Sequence, residues 1–130
     1  MSSENKKLLK AAIPSLVLLV LLWGIHFINI QYDLSLFKFG IFPRNLNGLQ
    51  GVLFSPLIHS SDDIKHIVNN SVPLLILGWT LFYFYKKIAF RILSYSWIVV
   101  GLLVWISARE SFHIGMSGVI YCLAFFLFFS

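Results

Sequence analysis

Four blocks of apolar residues divide the chain, and the short stretches between them carry most of its charged side chains. The blocks cover residues 11–30, 66–85, 88–106 and 115–130. The first three are close to the roughly 20 residues of helix that cross a bilayer. Backbone groups in hydrocarbon must be hydrogen-bonded within their own segment, and the alternation typical of barrel strands is absent. The pattern therefore predicts an all-α, polytopic membrane helix bundle.

Composition supports this prediction and limits the classes of function. Hydrophobic residues make up 58% of the chain and charged residues 12%, about half the charged fraction of a typical soluble domain. The net charge of +5 is therefore interpreted in terms of membrane topology and lipid headgroups, and no nucleic-acid motif is present. The single cysteine, Cys122, excludes a disulfide framework, and the four histidines lack metalloprotease spacing. We expect no metal and no cofactor.

Basic residues predict how the segments are oriented. Residues 1–10 are expected to form a cytoplasmic tail, followed by a membrane domain over residues 11–130. The first block lacks an A-x-A cleavage site, so we interpret it as a retained helix. Basic residues cluster before the first block and between the second and third, which places both regions in the cytoplasm by the positive-inside rule. The apolar, charge-balanced connection 31–65 is expected to pack on the outer membrane face as short helices and irregular structure.

Five polar side chains in the second and fourth blocks require an explanation, because polar groups in a membrane are costly. They are His66, Asn69, Asn70, Ser71 and Ser117. His66 and Asn70 are four residues apart and thus share one helix face. Ser117 lies between Gly115 and Gly118, in the pattern Gly-Met-Ser-Gly. At a rise of about 1.5 Å per residue, Asn70 and Ser117 lie roughly 8–12 Å below the charged residues that mark the outer surface. The two segments are therefore predicted to meet at similar depth.

These groups have the chemistry of an acyl-transfer site. A serine hydroxyl, free amides at a helix start and donors from a facing helix can attack a carbonyl and stabilise the oxyanion that forms. Two other interpretations remain open. The glycines can serve helix packing alone, and His66 and Asn70 can form hydrogen bonds between helices. Pro73 can simply kink its helix.

Two motifs resemble those of the rhomboid family of intramembrane serine proteases. The GxSG motif of the family corresponds to Gly115-Met116-Ser117-Gly118, and its HxxxN motif corresponds to the segment from His66 to Asn70. The connection containing GIFPRNLNGLQGVLFSPLIHSSDDIKH also resembles bacterial members. The resemblance implies a bacterial cytoplasmic membrane and transmembrane proteins as substrates, cleaved near the outer face. The inside amino terminus rests on the basic residues alone.

The resemblance also assigns roles to individual residues. It makes Ser117 the nucleophile, with His66, Asn70 and the Ser117 amide stabilising the oxyanion. Tyr121 resembles the tyrosine that packs against the catalytic base, and His59 resembles an upstream loop histidine, to which we assign a structural role. Rhomboids have a six-helix core whose sixth helix carries the base, whereas this sequence stops in its fourth.

We therefore expect the chain to be the amino-terminal part of a longer protease and to be inactive by itself. Neither His26 nor His113 is expected to replace the missing base. Two rival functions remain. One is a catalytically inactive rhomboid-like protein that binds membrane clients, and the other is a small channel or transporter component using His66 and Asn70 as a polar pathway.

Overall fold

The computed structural model describes all 130 residues, and its regular structure is entirely helical. The helices are α1 (Ser3–Tyr32), α2 (Gly51–Phe54), α3 (Ile64–Phe84), α4 (Ala89–Ser107) and α5 (Ser117–Phe129). Short 3-10 turns at Leu36–Phe39, Leu46–Gln50 and Ser55–Leu57 occupy the connection between α1 and α3. There are no strands, only an isolated antiparallel bridge between Ile41 and His113. The predicted all-α class is confirmed.

Three helices, α1, α3 and α4, are long and apolar enough to cross a membrane. The fourth predicted span is present as α5, a shorter apolar helix of 13 residues. That helix begins at Ser117 and not at Gly115, because Gly115 has a φ of +107°, which no residue of a right-handed helix adopts. Length and composition therefore identify a membrane protein with three helices able to span.

The first helix begins well before the first apolar block. Ser2 caps it by accepting a hydrogen bond from the Asn5 amide at 3.2 Å, so most of the predicted tail at residues 1–10 is helical. These first turns lie along the end of α3. The Trp79 indole donates to the Leu8 carbonyl at 2.9 Å, and the Tyr83 hydroxyl donates to Glu4. These contacts make α1 and α3 antiparallel neighbours.

The close packing of α1 on α3 continues along the apolar part of both helices. Gly78 of α3 lies directly against Ser15 of α1, since a Cβ placed on Gly78 would be 2.2 Å from the Ser15 Oγ. Further along, the Trp23 indole donates to the Ser71 hydroxyl at 3.0 Å. Small residues let two helix backbones approach each other, which is the usual basis of helix association in lipid.

The connection between α1 and α3 packs against α4. The Arg44 guanidinium donates to the Ile106 and Ala108 carbonyls at 3.2 and 2.8 Å, where α4 ends. Two tryptophan indoles of α4 donate hydrogen bonds to this connection, and that of Trp97 donates to the Leu53 carbonyl at 3.0 Å. The predicted mixture of short helices and irregular structure is confirmed. The contacts hold it beside the carboxyl end of α4.

The helices divide the molecule into two ends. The start of α1, the turn between α3 and α4, and the carboxyl end of α5 lie at one end, where the Tyr85 hydroxyl and Ser130 Oγ are 2.5 Å apart. The α1–α3 connection, residues 108–116 and the first turns of α3 and α5 lie at the other end. The amino-terminal ends of α3 and α5 are therefore neighbours.

Candidate functional site

His66 and Asn70 of α3 face the backbone that leads into Ser117. A Cβ placed on Gly115 would lie 2.5 Å from His66 Nε2 and 3.7 Å from Asn70 Nδ2. These residues come from two segments far apart in the chain, and the contact of α3 with α5 brings them together at one end of the bundle. The two motifs identified in the sequence thus form one cluster.

Gly115 makes this close approach possible. Its φ of +107° lies in the region that favours glycine, and its amide donates to the Ser55 carbonyl at 2.8 Å. Any side chain here would collide with the His66 ring. The glycine therefore sets the distance between α3 and the start of α5.

Ser117 is the first residue of α5, two residues after the predicted start of the fourth block. The first amides of a helix have no acceptor within the helix, and the Ser117 N–H forms no backbone hydrogen bond elsewhere in the chain. The side chain is partly exposed and lines a cavity of about 170 Å³ between α4, α5 and the α1–α3 connection. Other residues around this cavity are Trp97, Gly101, His113, Gly115 and Gly118.

Hydrogen bonds assign the tautomer of His66. The Ser60 amide N–H donates to His66 Nδ1 at 3.3 Å, so Nδ1 is an acceptor and, in the neutral ring, Nε2 carries the hydrogen. Nε2 is the atom that faces Gly115. His66 therefore presents a hydrogen-bond donor towards the start of α5.

Asn70 is oriented by a second histidine, His59. The Asn70 Nδ2 atom lies 2.9 Å from His59 Nε2. An amide nitrogen only donates, so Nε2 accepts this bond and the second N–H of Asn70 stays available for another acceptor. The Asn70 side chain is buried, and this contact fixes its direction.

His59 is itself buried, with 2% of its surface exposed, and its ring centroid lies 5.0 Å from that of His66. Burial first, and the neighbouring His66 second, lower the pKa of His59 to about 4. The ring is therefore neutral near pH 7 and keeps the lone pair that Asn70 requires. Sequence reasoning gave His59 a structural role without linking it to Asn70, since its position in a connection gave no spacing signal.

The remaining predicted residues have different surroundings. A Cβ placed on Gly118 would lie 2.6 Å from a Val100 methyl, so this glycine brings α5 close to α4 and not to α3. Tyr121 is 76% exposed on the outside of the described helices. His113 Nε2 lies 2.9 Å from the Arg109 carbonyl oxygen, and His26 is buried beside Trp23.

Fold and composition together define an all-helical membrane protein with a polar cluster near one end of the bundle. No group of three or more histidine, cysteine, aspartate or glutamate side chains is placed to hold a metal ion. No family model matches the chain, and no solved structure matches it.

The chain is similar to mycobacterial proteins whose names do not state an activity. It is 36% identical to "Uncharacterized protein Rv1337" of Mycobacterium tuberculosis over 69% of this chain and 40% of that protein. It is 30% identical to "Uncharacterized protein ML1171" of Mycobacterium leprae over 98% of this chain and 54% of that protein. The chain thus spans about half, or less, of the length of these relatives.

Proposed function

We propose that this chain forms part of a rhomboid-type intramembrane serine protease, with Ser117 as the nucleophile. The observation that carries the proposal is the position of two side-chain donors, His66 Nε2 and Asn70 Nδ2. Both lie beside the backbone of Gly115, two residues before Ser117. Packing alone would not require two oriented donors to converge on the backbone beside a serine. The GxSG and HxxxN motifs of these same residues resemble those of rhomboids and assign the same roles.

In the proposed reaction, Ser117 Oγ attacks the carbonyl carbon of a peptide bond. The new O–C bond shifts the carbonyl electrons onto oxygen, which accepts hydrogen bonds from the Ser117 amide, His66 Nε2–H and Asn70 Nδ2–H. A general base takes the Ser117 Oγ–H proton during the attack and passes it to the amine as the C–N bond breaks. Water then hydrolyses the Ser117 ester that remains, which releases the carboxylic acid and regenerates the serine. Each such donor typically contributes about 10²–10³ in kcat.

A serine hydroxyl needs an adjacent base to become an effective nucleophile. His66 Nδ1 is bound to Ser60 and His59 Nε2 to Asn70, so both rings already have assigned partners. We propose that the base is a histidine from a segment outside these 130 residues, as the rhomboid resemblance implies. The greater length of the relatives is consistent with such a segment.

The proposed substrates are transmembrane proteins cut near the outer face of a bacterial cytoplasmic membrane. The end of the bundle opposite Ser117 carries six basic residues and Glu4, a net charge of +5, whereas the end bearing Ser117 has four basic and four acidic residues. This asymmetry supports a cytoplasmic location for the first end by the positive-inside rule. Ser117 would then face the outside.

A fluorophosphonate probe on the full-length protein in membranes tests the assignment of the nucleophile. We expect labelling of the native protein and loss of at least about 99% of it in Ser117→Ala, since such probes bond only to an activated serine. Ser107→Ala is the matched control, because Ser107 Oγ bonds only the Leu103 carbonyl within α4. Its labelling should equal that of the native protein.

Equal labelling of the native protein and Ser117→Ala would exclude Ser117 as the nucleophile. If the correctly folded full-length protein were not labelled at all but still bound a transmembrane substrate, the protease proposal would be wrong. An inactive client-binding protein would then be the better description.

A further inference from the structure

A basic cavity lies at the end of the bundle opposite Ser117. It has a volume of about 440 Å³ and is formed by the first turns of α1 together with the ends of α3 and α4 that meet there. Four lysine side chains line it, and no acidic residue does. The lysines are Lys6, Lys7, Lys10 and Lys86.

These lysines have no carboxylate partner in the chain. The ion pair of the structure, between Arg44 and Glu110 at 3.6 Å, is at the other end of the bundle. Glu4, the one acid at this end, accepts a hydrogen bond from the Tyr83 hydroxyl. The Lys7 ammonium lies 4.3 Å from the centroid of the Tyr83 ring. Four like charges thus line one cavity without a carboxylate among them, and a bound anion would offset their repulsion.

The part of the cavity wall that is not formed by lysines is mostly apolar. Ala11, Pro14, Phe82 and Phe90 line it, and α1, α3 and α4 continue from there into the membrane-spanning part of the bundle. A cavity at the ends of helices long and apolar enough to cross a membrane is expected near the lipid headgroups, and this one has cationic groups beside apolar side chains. A ligand that matches both needs a phosphate and an attached hydrocarbon chain.

We propose that this cavity binds the phosphate headgroup of an anionic phospholipid, with the adjoining apolar surface contacting its acyl chain. Basic clefts between membrane helices commonly bind such headgroups. A free phosphate would satisfy the lysines and leave the apolar wall unused. The site lies at the opposite end of the bundle from Ser117, so the proposal does not depend on protease activity.

Titration of the purified protein in dodecyl maltoside micelles tests this site. The probe is dioctanoyl phosphatidylglycerol, with dioctanoyl phosphatidylcholine and inorganic phosphate as parallel arms, and native mass spectrometry counts the bound molecules. We expect one phosphatidylglycerol bound at least ten times more tightly than phosphatidylcholine or phosphate. Each lysine beside an anionic headgroup contributes about fivefold in affinity.

Substitutions locate the bound lipid. Lys7→Gln/Lys10→Gln should weaken phosphatidylglycerol binding by at least about tenfold, whereas Lys7→Arg/Lys10→Arg should retain it because the charge is kept. The matched control is Lys87→Gln, which removes a charge from the neighbouring exposed position that does not line the cavity. It should change the affinity by less than about twofold.

Three results would overturn the proposal. The first is equal binding of phosphatidylcholine, and the second is phosphate binding as tightly as the lipid. The third is an equal loss of affinity in Lys87→Gln and in Lys7→Gln/Lys10→Gln. These lysines are exposed, and the arginine variant shows whether a loss comes from charge or from misfolding.

Discussion

At the scale of single residues, the candidate site depends on a glycine in a conformation that few other residues adopt. Gly115 combines a φ of +107° with contact to the His66 ring. A residue with a side chain would both strain the backbone and displace His66, whose Nε2 faces this position. The close approach of α3 to the start of α5 therefore requires a residue without a side chain at position 115.

We expect Gly115→Ala to lower the free energy of unfolding by about 1–3 kcal/mol, the usual cost of forcing an extra group into a packed site. The matched control is Gly24→Ala, since a Cβ on Gly24 would meet nothing within 4 Å. It should not destabilise the protein, and the higher helix propensity of alanine should raise the stability by up to about 1 kcal/mol. Unfolding by sodium dodecyl sulfate in mixed micelles measures both. Equal effects of the two variants would contradict the close contact at Gly115.

At the scale of elements, the contact between α1 and α3 is the most extensive in the molecule, and Ser15 and Gly78 show how it is made. The Ser15 Oγ is buried and has no hydrogen-bond partner. Ser15 therefore contributes to the contact through its small side chain and not through a hydrogen bond. Together with Gly78 it allows the two helices to cross closely. This contact aligns α3, which carries His66 and Asn70.

Substitutions at this crossing should be strongly coupled. Gly78→Ala is expected to destabilise the protein by about 1–3 kcal/mol, because the new methyl group would lie 2.2 Å from the Ser15 Oγ. Ser15→Ala alone should be nearly neutral, since the hydroxyl it removes is unpartnered.

The double variant Ser15→Ala/Gly78→Ala should recover at least about 1 kcal/mol relative to Gly78→Ala, because the offending oxygen is gone. A double-mutant cycle of unfolding free energies measures this coupling. Additive effects of the two substitutions would show that the helices do not cross at these residues.

At the scale of the whole molecule, charge is distributed unevenly between the two ends of the bundle. The end formed by the start of α1 and the turn after α3 holds six of the ten basic residues and one of the five acidic residues. The same asymmetry motivates both the proposed orientation and the proposed lipid site. The polar cluster with Ser117 lies at the other end.

The orientation is testable with single cysteines in a Cys122→Ala background. We expect Asn47→Cys to react with a membrane-impermeant maleimide in intact cells and Lys87→Cys to react only after lysis, since the basic end should be cytoplasmic. Both positions are exposed, so each serves as the accessibility control for the other. The reverse pattern of labelling would place Ser117 on the cytoplasmic side.

Much of the fold was predictable because helix formation in a membrane is a local property of the sequence. Apolar blocks of sufficient length predicted α1, α3 and α4 with ends within a few residues, apart from the start of α1. That start lies at Ser3 because contacts of Glu4 and Leu8 with α3 hold polar residues in the helix. The length of α5 was overestimated, since apolar composition alone does not register the backbone conformation of Gly115.

The class of protein, its helices and its candidate site residues followed from hydrophobic length and local motifs, which are properties of consecutive residues. Which side chains contact one another followed from the packing of the helices. That packing placed Gly118 against α4 and left Tyr121 exposed. It also brought His59 to Asn70 and gathered four lysines around one cavity. Such contacts depend on how separate helices cross, and that geometry is fixed by side chains distant in sequence.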